Sequence, residues 1–141
     1  MNLLVHTDGG ARGNPGPAAV GVVIESLNSQ NQTVKIREFG ERIGETTNNV
    51  AEYLAVIAAL EWLRNYPNPP DGGLTIQFYL DSTLLVNQLN GTFKVKAAKL
   101  RELLMRVRVL EQEVGGRIFY QLIPREKNRR ADFLVNQALD K

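Results

Sequence analysis

Apolar positions along the chain fall into short β-branched runs and longer stretches with helical spacing. Leu3, Leu4 and Val5 form the first run, and Val20, Val22, Val23 and Ile24 form the second. They predict strands near Asn2–Asp8 and Ala18–Leu27, with a third at Thr33–Ile43. The links GGARGNPGP and NSQNQ are rich in turn formers, and strands joined this closely predict an antiparallel meander. Four glycines and two prolines in the nine residues after Asp8 are expected to end the first strand there. A helix is predicted from about Thr47 to Tyr66, closed by PNPPDGG. It is apolar nearly all round (Val50, Ala51, Leu54, Ala55, Ile57, Ala58, Leu60, Trp62, Leu63), as a buried helix is.

The second half alternates. A strand at Leu74–Leu80 ends on Asp81, and a short helix, Ser82–Asn90, stops at Gly91. A longer helix, about Ala97–Val114, carries Leu100, Leu103, Leu104, Val107, Leu110 and Val114 on one stripe. A strand at Arg117–Ile123 leads through PREKN to a last helix at Arg129–Leu139. The order βββαβααβα predicts an α/β fold with a five-stranded mixed sheet flanked by helices. A chain of 141 residues suits one domain, spanning 1–141.

Composition narrows the chemistry. No cysteine is present, which excludes disulfides and thiolate metal sites, and a single histidine excludes a multi-histidine zinc site. Any metal is therefore held by oxygen, which favours Mg²⁺ or Mn²⁺. The start MNLLVHTD has neither a basic segment nor a long apolar one, so no signal peptide and no membrane association are expected, and the chain is expected to be cytoplasmic. The net charge is only +2, but its distribution is uneven. Lys94, Lys96, Lys99, Arg101, Arg106 and Arg108 face one acid, Glu102, and a second cluster holds Arg125, Lys127, Arg129 and Arg130. Each cluster reads equally well as a solvated face or as a surface for a polyanion.

Four carboxylates stand in unusual places. Asp8 and Asp81 end strands, Glu52 lies early in an apolar helix, and Asp132 lies early in the last helix. Singly, Asp8 reads as a turn residue, Asp81 as a helix cap, and Glu52 and Asp132 as acids favoured by the helix dipole. Together they fall where open α/β folds gather their sites. Carboxylates packed closely repel one another unless a cation lies between them. A pair of Mg²⁺ ions would meet that need and suits in-line displacement at phosphorus.

Four segments carry a family resemblance over nearly the whole chain: TDGGARGNPGPAAVGVVI, ETTNNVAEYLAVIAAL, DSTLLVNQLNG and PREKNRRADFLVNQAL. In this order they resemble ribonuclease H of type 1. The resemblance implies a ribonuclease H-like fold. It further implies hydrolysis of the RNA strand of RNA–DNA hybrids, leaving 5′-phosphate and 3′-hydroxyl ends. It assigns Asp8, Glu52, Asp81 and Asp132 to two Mg²⁺ ions, with Mn²⁺ as an alternative. Asp8 would bridge both ions, Glu52 and Asp81 would hold one, and Asp132 the other. Gly9, Asn14, Asn48 and Asn49, with Thr47 before them, match hybrid-contacting positions. For Asn48 and Asn49 the alternative is helix capping.

The chain also departs from that family's pattern. LIPREKNRRAD lacks the loop histidine many members carry, and Arg125 is the candidate replacement. Arginine stays protonated, so it can stabilise phosphate charge or help product leave but cannot act as a base. The segment NGTFKVKAAK is short where other members insert a basic protrusion, and Lys94, Lys96 and Lys99 are the candidate substitutes. Thr83 stands where some members have a glutamine, and His6 reads as structural. A non-catalytic hybrid-binding module and another nuclease of the same fold remain the alternatives. The chain is expected to act as a monomer.

Overall fold

A computed structural model describes residues 1–67, 69 and 72–141. Its strands are β1 (Asn2–Ala11), β2 (Gly16–Leu27), β3 (Thr33–Thr46), β4 (Thr75–Leu80) and β5 (Arg117–Leu122). Its helices are α1 (Asn48–Arg64), α2 (Thr83–Leu89), α3 (Ala98–Val114) and α4 (Arg129–Leu139), with a 3₁₀ turn at Arg125–Lys127 before α4. The strand order is β3-β2-β1-β4-β5. The first three strands form the expected antiparallel meander, and β4 and β5 add in parallel beyond β1. The predicted order βββαβααβα is therefore the observed one. Asn68, Pro70 and Asp71, within the predicted helix stop PNPPDGG, lie outside the described residues.

One boundary differs in a way that matters for the site. The first strand does not end at Asp8 but continues to Ala11, with Asp8, Gly9 and Gly10 paired to Gly21, Val20 and Ala19. The glycines do not break the strand because they serve packing instead of turning. A side chain on Gly9 would overlap the carbonyl of Ala51 and lie 2.6 Å from the backbone nitrogen of Glu52. The bare glycine thus lets the first turn of α1 lie directly on β1. Only residues 12–15 make the turn to β2.

Alternation along β1 and β2 then sorts the two faces of the sheet. Leu3 and Val5, with Val22 and Ile24, point to α1 and form the main core with Val56, Ile57, Leu60, Ile76 and Phe78. Each such side chain contributes about 1.5–3 kcal/mol through burial. The helix α3 covers the outer side of α1 through Leu103, Val107 and Leu110. The opposite face carries His6, Asp8 and Gly10 and is covered by α4, whose Val135, Ala138 and Leu139 pack with Ala19. Gly21 and Gly40 admit α4, since side chains there would overlap the carbonyls of Ala131 and Leu134.

Candidate active site

Pairing between β1 and β4 ends at His6 and Tyr79, while β1 runs on to Ala11. The chain leaves β4 at Leu80, so Asp81 turns off beside the projecting end of β1. A cleft of about 390 Å³ opens there, lined by Asp8, Glu52, Asp81, Asp132 and Arg125. Each acid arrives on a different element: Asp8 on β1, Glu52 on α1, Asp81 after β4 and Asp132 on α4. This is the carboxyl end of parallel strands, where such sheets leave a crevice.

Local capping explains how the acids are left free. Thr47 caps α1, its hydroxyl accepting from the backbone nitrogen of Val50 at 3.3 Å. Ser82, not Asp81, caps α2, accepting from Leu85 at 3.2 Å. The capping explanation therefore fails for Asp81, and also for Asn48 and Asn49. Asn48 instead ties the turn after β1 to α1. Its Oδ1 accepts from Ala11 N at 2.9 Å, and its own backbone nitrogen donates to Asn14 Oδ1 at 3.0 Å.

The electrostatics follow from crowding. Burial pushes the Asp8 carboxyl up to about 8, reinforced by Asp81, by the charge of and a hydrogen bond to Asp132, and by Glu52. Burial likewise raises Glu52 to about 7; a hydrogen bond with Ser82 and the charge of Arg125 oppose it, while Asp81 adds to it. Four carboxylates gathered in one cleft, two of them raised by burial, match the chemistry of hard divalent cations. Among the described residues, however, no three Asp, Glu or His side chains are placed to hold a metal ion as they stand.

The other expected residues divide. Arg125, in the 3₁₀ turn, and Gly9 and Asn48 line the cleft with the acids. Asn14 is one hydrogen bond away from it, and Asn49 is exposed at the start of α1. Lys94 and Lys96 are exposed on the segment before α3 and do not line the cleft. Within the basic stretches, Arg106 and Arg130 are engaged by Glu61 and Glu38, both at 2.7 Å. His6 stacks on Tyr79 with ring centroids 4.9 Å apart, and burial lowers its pKa, in keeping with a structural role.

Three residues were not anticipated. Arg12 lines the cleft and pairs with Asp140 at 2.7 Å. Ser82 hydrogen-bonds Glu52, and Asn128 donates to Asp81 Oδ2 at 2.9 Å. Ser82 was visible only as a helix-start residue beside Asp81 and Asn128 only as the end of the loop PREKN, and nothing in the pattern marked Arg12.

Comparison with known proteins places this geometry. A family model described as reverse transcriptase-like matches residues 6–138. A ribonuclease H1 isolated from compost by a metagenomic approach is 44% identical, with a TM-score of 0.87 over 99% of this chain and 96% of that one. The chain belongs to the type 1 ribonuclease H family. A type 1 ribonuclease H from Halobacterium salinarum superimposes with a TM-score of 0.88, at 38% identity, over 99% of this chain and 98% of that one. The bifunctional protein Rv2228c of Mycobacterium tuberculosis is 38% identical over 140 residues. The chain spans 36% of that protein's length and 63% of the sequence named ribonuclease HI in Halobacterium salinarum, so it covers only part of these ribonuclease H relatives. None of its helices, among the described residues, is long and apolar enough to cross a membrane.

Proposed function

We propose that this chain is a metal-dependent endoribonuclease that cuts the RNA strand of RNA–DNA hybrids, leaving 5′-phosphate and 3′-hydroxyl ends. The observation that carries the reading is the meeting of Asp8, Glu52, Asp81 and Asp132 in one cleft, where burial pushes Asp8 and Glu52 toward protonation. A binding module has no use for four acids beside a phosphate backbone, whose charge they repel. Support also comes from a structure of the compost ribonuclease H1 in complex with an RNA/DNA hybrid, 44% identical to this chain with a TM-score of 0.84.

In this reading the four acids hold two Mg²⁺ ions, with Mn²⁺ able to replace them. When bound, the ions supply Lewis acidity toward the attacking water and the leaving oxygen. The chain's own residues do the rest. Asp8 feels Asp81, Asp132 and Glu52 together, and in this reading it would be the acid shared between the two ions. Arg125 offsets charge near Glu52 and, being always protonated, acts on phosphate charge and product release but not as a base.

The oxygens of Asn14 and Asn48 are committed to backbone nitrogens, which leaves their amide N–H groups to donate. Such donors suit 2′-hydroxyls and minor-groove edges without demanding a sequence. Thr47 and Asn49 flank them at the start of α1. Gly9 lets the start of α1 lie close against β1 beside the cleft, and Lys94 and Lys96 reach outlying phosphates. The same reading takes residues 1–141 as one domain acting as a cytoplasmic monomer.

The test is cleavage of a labelled hybrid beside single-stranded RNA, double-stranded RNA and double-stranded DNA, with Mg²⁺, Mn²⁺ or EDTA. Cutting of the hybrid's RNA strand alone, abolished by EDTA, is the expected result. Hybrid bound but uncut in every metal would move the assignment to a binding module.

A further inference from the structure

We propose that Asn128 is a positioning residue that presets the acid cluster for divalent cations by orienting Asp81. The inference rests on the nuclease reading above. Asn128 lies between the 3₁₀ turn and α4 and is 1% exposed. Asparagine at a helix start ordinarily caps the helix with its side chain. Here the side chain makes no capping bond. Its Nδ2 instead donates to the carbonyl of Thr7 and to Asp81 Oδ2, both at 2.9 Å. The backbone of the same residue donates to Arg125 O at 2.9 Å and accepts from Asp132 N at 3.2 Å. One residue therefore ties together the segments carrying Asp8, Asp81, Arg125 and Asp132.

The choice of amide has a physical reason. Asp81 adds to the crowding felt by both Asp8 and Glu52, so without a partner it is driven outward. A lysine in place of Asn128 would hold Asp81 but neutralise it and compete with a cation. An aspartate would repel it. A neutral donor fixes one carboxylate oxygen and leaves the other, with the full charge, for a metal. The Oδ1 of Asn128 is buried without a hydrogen-bond partner. The two donor bonds, not the oxygen, thus set the amide's orientation. Residues that orient metal-binding carboxylates in this way typically change metal affinity or activity 10–100-fold when removed.

The test is calorimetric titration of the whole chain with Mg²⁺, for wild type, Asn128→Ala and Asn128→Asp. Val107→Ala serves as a control that is destabilised by a cavity in α3 far from the cleft. Both Asn128 variants are expected to bind Mg²⁺ at least tenfold more weakly. Their kcat on hybrid should fall while KM moves less than threefold. Val107→Ala should bind Mg²⁺ as wild type does, and a merely structural role for Asn128 would make its folded variants do the same. A folded Asn128→Ala with Mg²⁺ affinity within twofold of wild type overturns the proposal.

If both variants fail to fold, the side-chain amide resonances of Asn128 in ¹⁵N-labelled wild type decide. They should shift on Mg²⁺ addition and saturate with the backbone amide of Asp81, and resonances that stay still overturn the proposal. Wild type that binds no Mg²⁺ removes the nuclease reading and this inference with it. Loss confined to the variants separates the two.

Discussion

Replacing Asp8 by asparagine tests the electrostatic account of the cleft directly. The substitution keeps size and removes one of four crowded carboxyls. In the wild type, burial and the surrounding acids raise Asp8 from 3.8 to about 8. Between those values the folded chain holds a proton that the unfolded chain has released. Stability of the metal-free protein is therefore fullest near pH 4 and falls as pH rises toward 8. One proton held over the three units from pH 5 to pH 8, at 1.36 kcal/mol per unit, gives about 4 kcal/mol as an upper limit. The cleft is open to water on one side and the acids share their protons, so about 2 kcal/mol is the working figure.

The assay is urea unfolding in EDTA at pH 5 and pH 8, followed by circular dichroism. Wild type should lose about 2 kcal/mol more than Asp8→Asn between the two pH values. Saturating Mg²⁺ at pH 8 should restore the wild type and leave the variant nearly unchanged, since only a ligand bound by the native state stabilises it. Equal pH dependence in the two proteins would refute the claim that Asp8 is held protonated by its neighbours.

Further outcomes follow from single contacts. Gly21→Ala should cost about 1–3 kcal/mol or more, because the added methyl overlaps the Ala131 carbonyl and lifts α4 from β2; a thermal melt unchanged from wild type would contradict this. Tyr53→Phe should cost about 1–3 kcal/mol in urea unfolding by leaving the buried Gln88 Oε1 without the hydroxyl that donates to it at 2.7 Å. Arg125→Ala should lower kcat on hybrid about tenfold or more and raise KM less; a change in KM alone would make Arg125 a phosphate anchor. Asp81→Asn should keep the fold and abolish cleavage, and normal turnover in that variant would remove Asp81 from the site.

Much of this protein was written in local pattern. Period-two and helical spacing placed the nine strands and helices of the described residues in order, because burial on one face of an element is a local property of the sequence. The four acids could also be picked out, not singly but together, since Asp8, Glu52, Asp81 and Asp132 all fall at strand ends or helix starts. What spacing alone left open was everything that depends on two distant segments meeting. The end of β1 looked like a loop because Gly9 and Gly10 open the glycine- and proline-rich GGARGNPGP, and Gly21 carried no signal within β2. Their purpose appears only when α1 and α4 lie against the bare backbone. Asn128 was only the last residue of the loop PREKN until its amide was found on Thr7 and Asp81. The raised protonation of Asp8 and Glu52 likewise has no local signature. Desolvation and like charge act through space, at distances that only the folded chain creates.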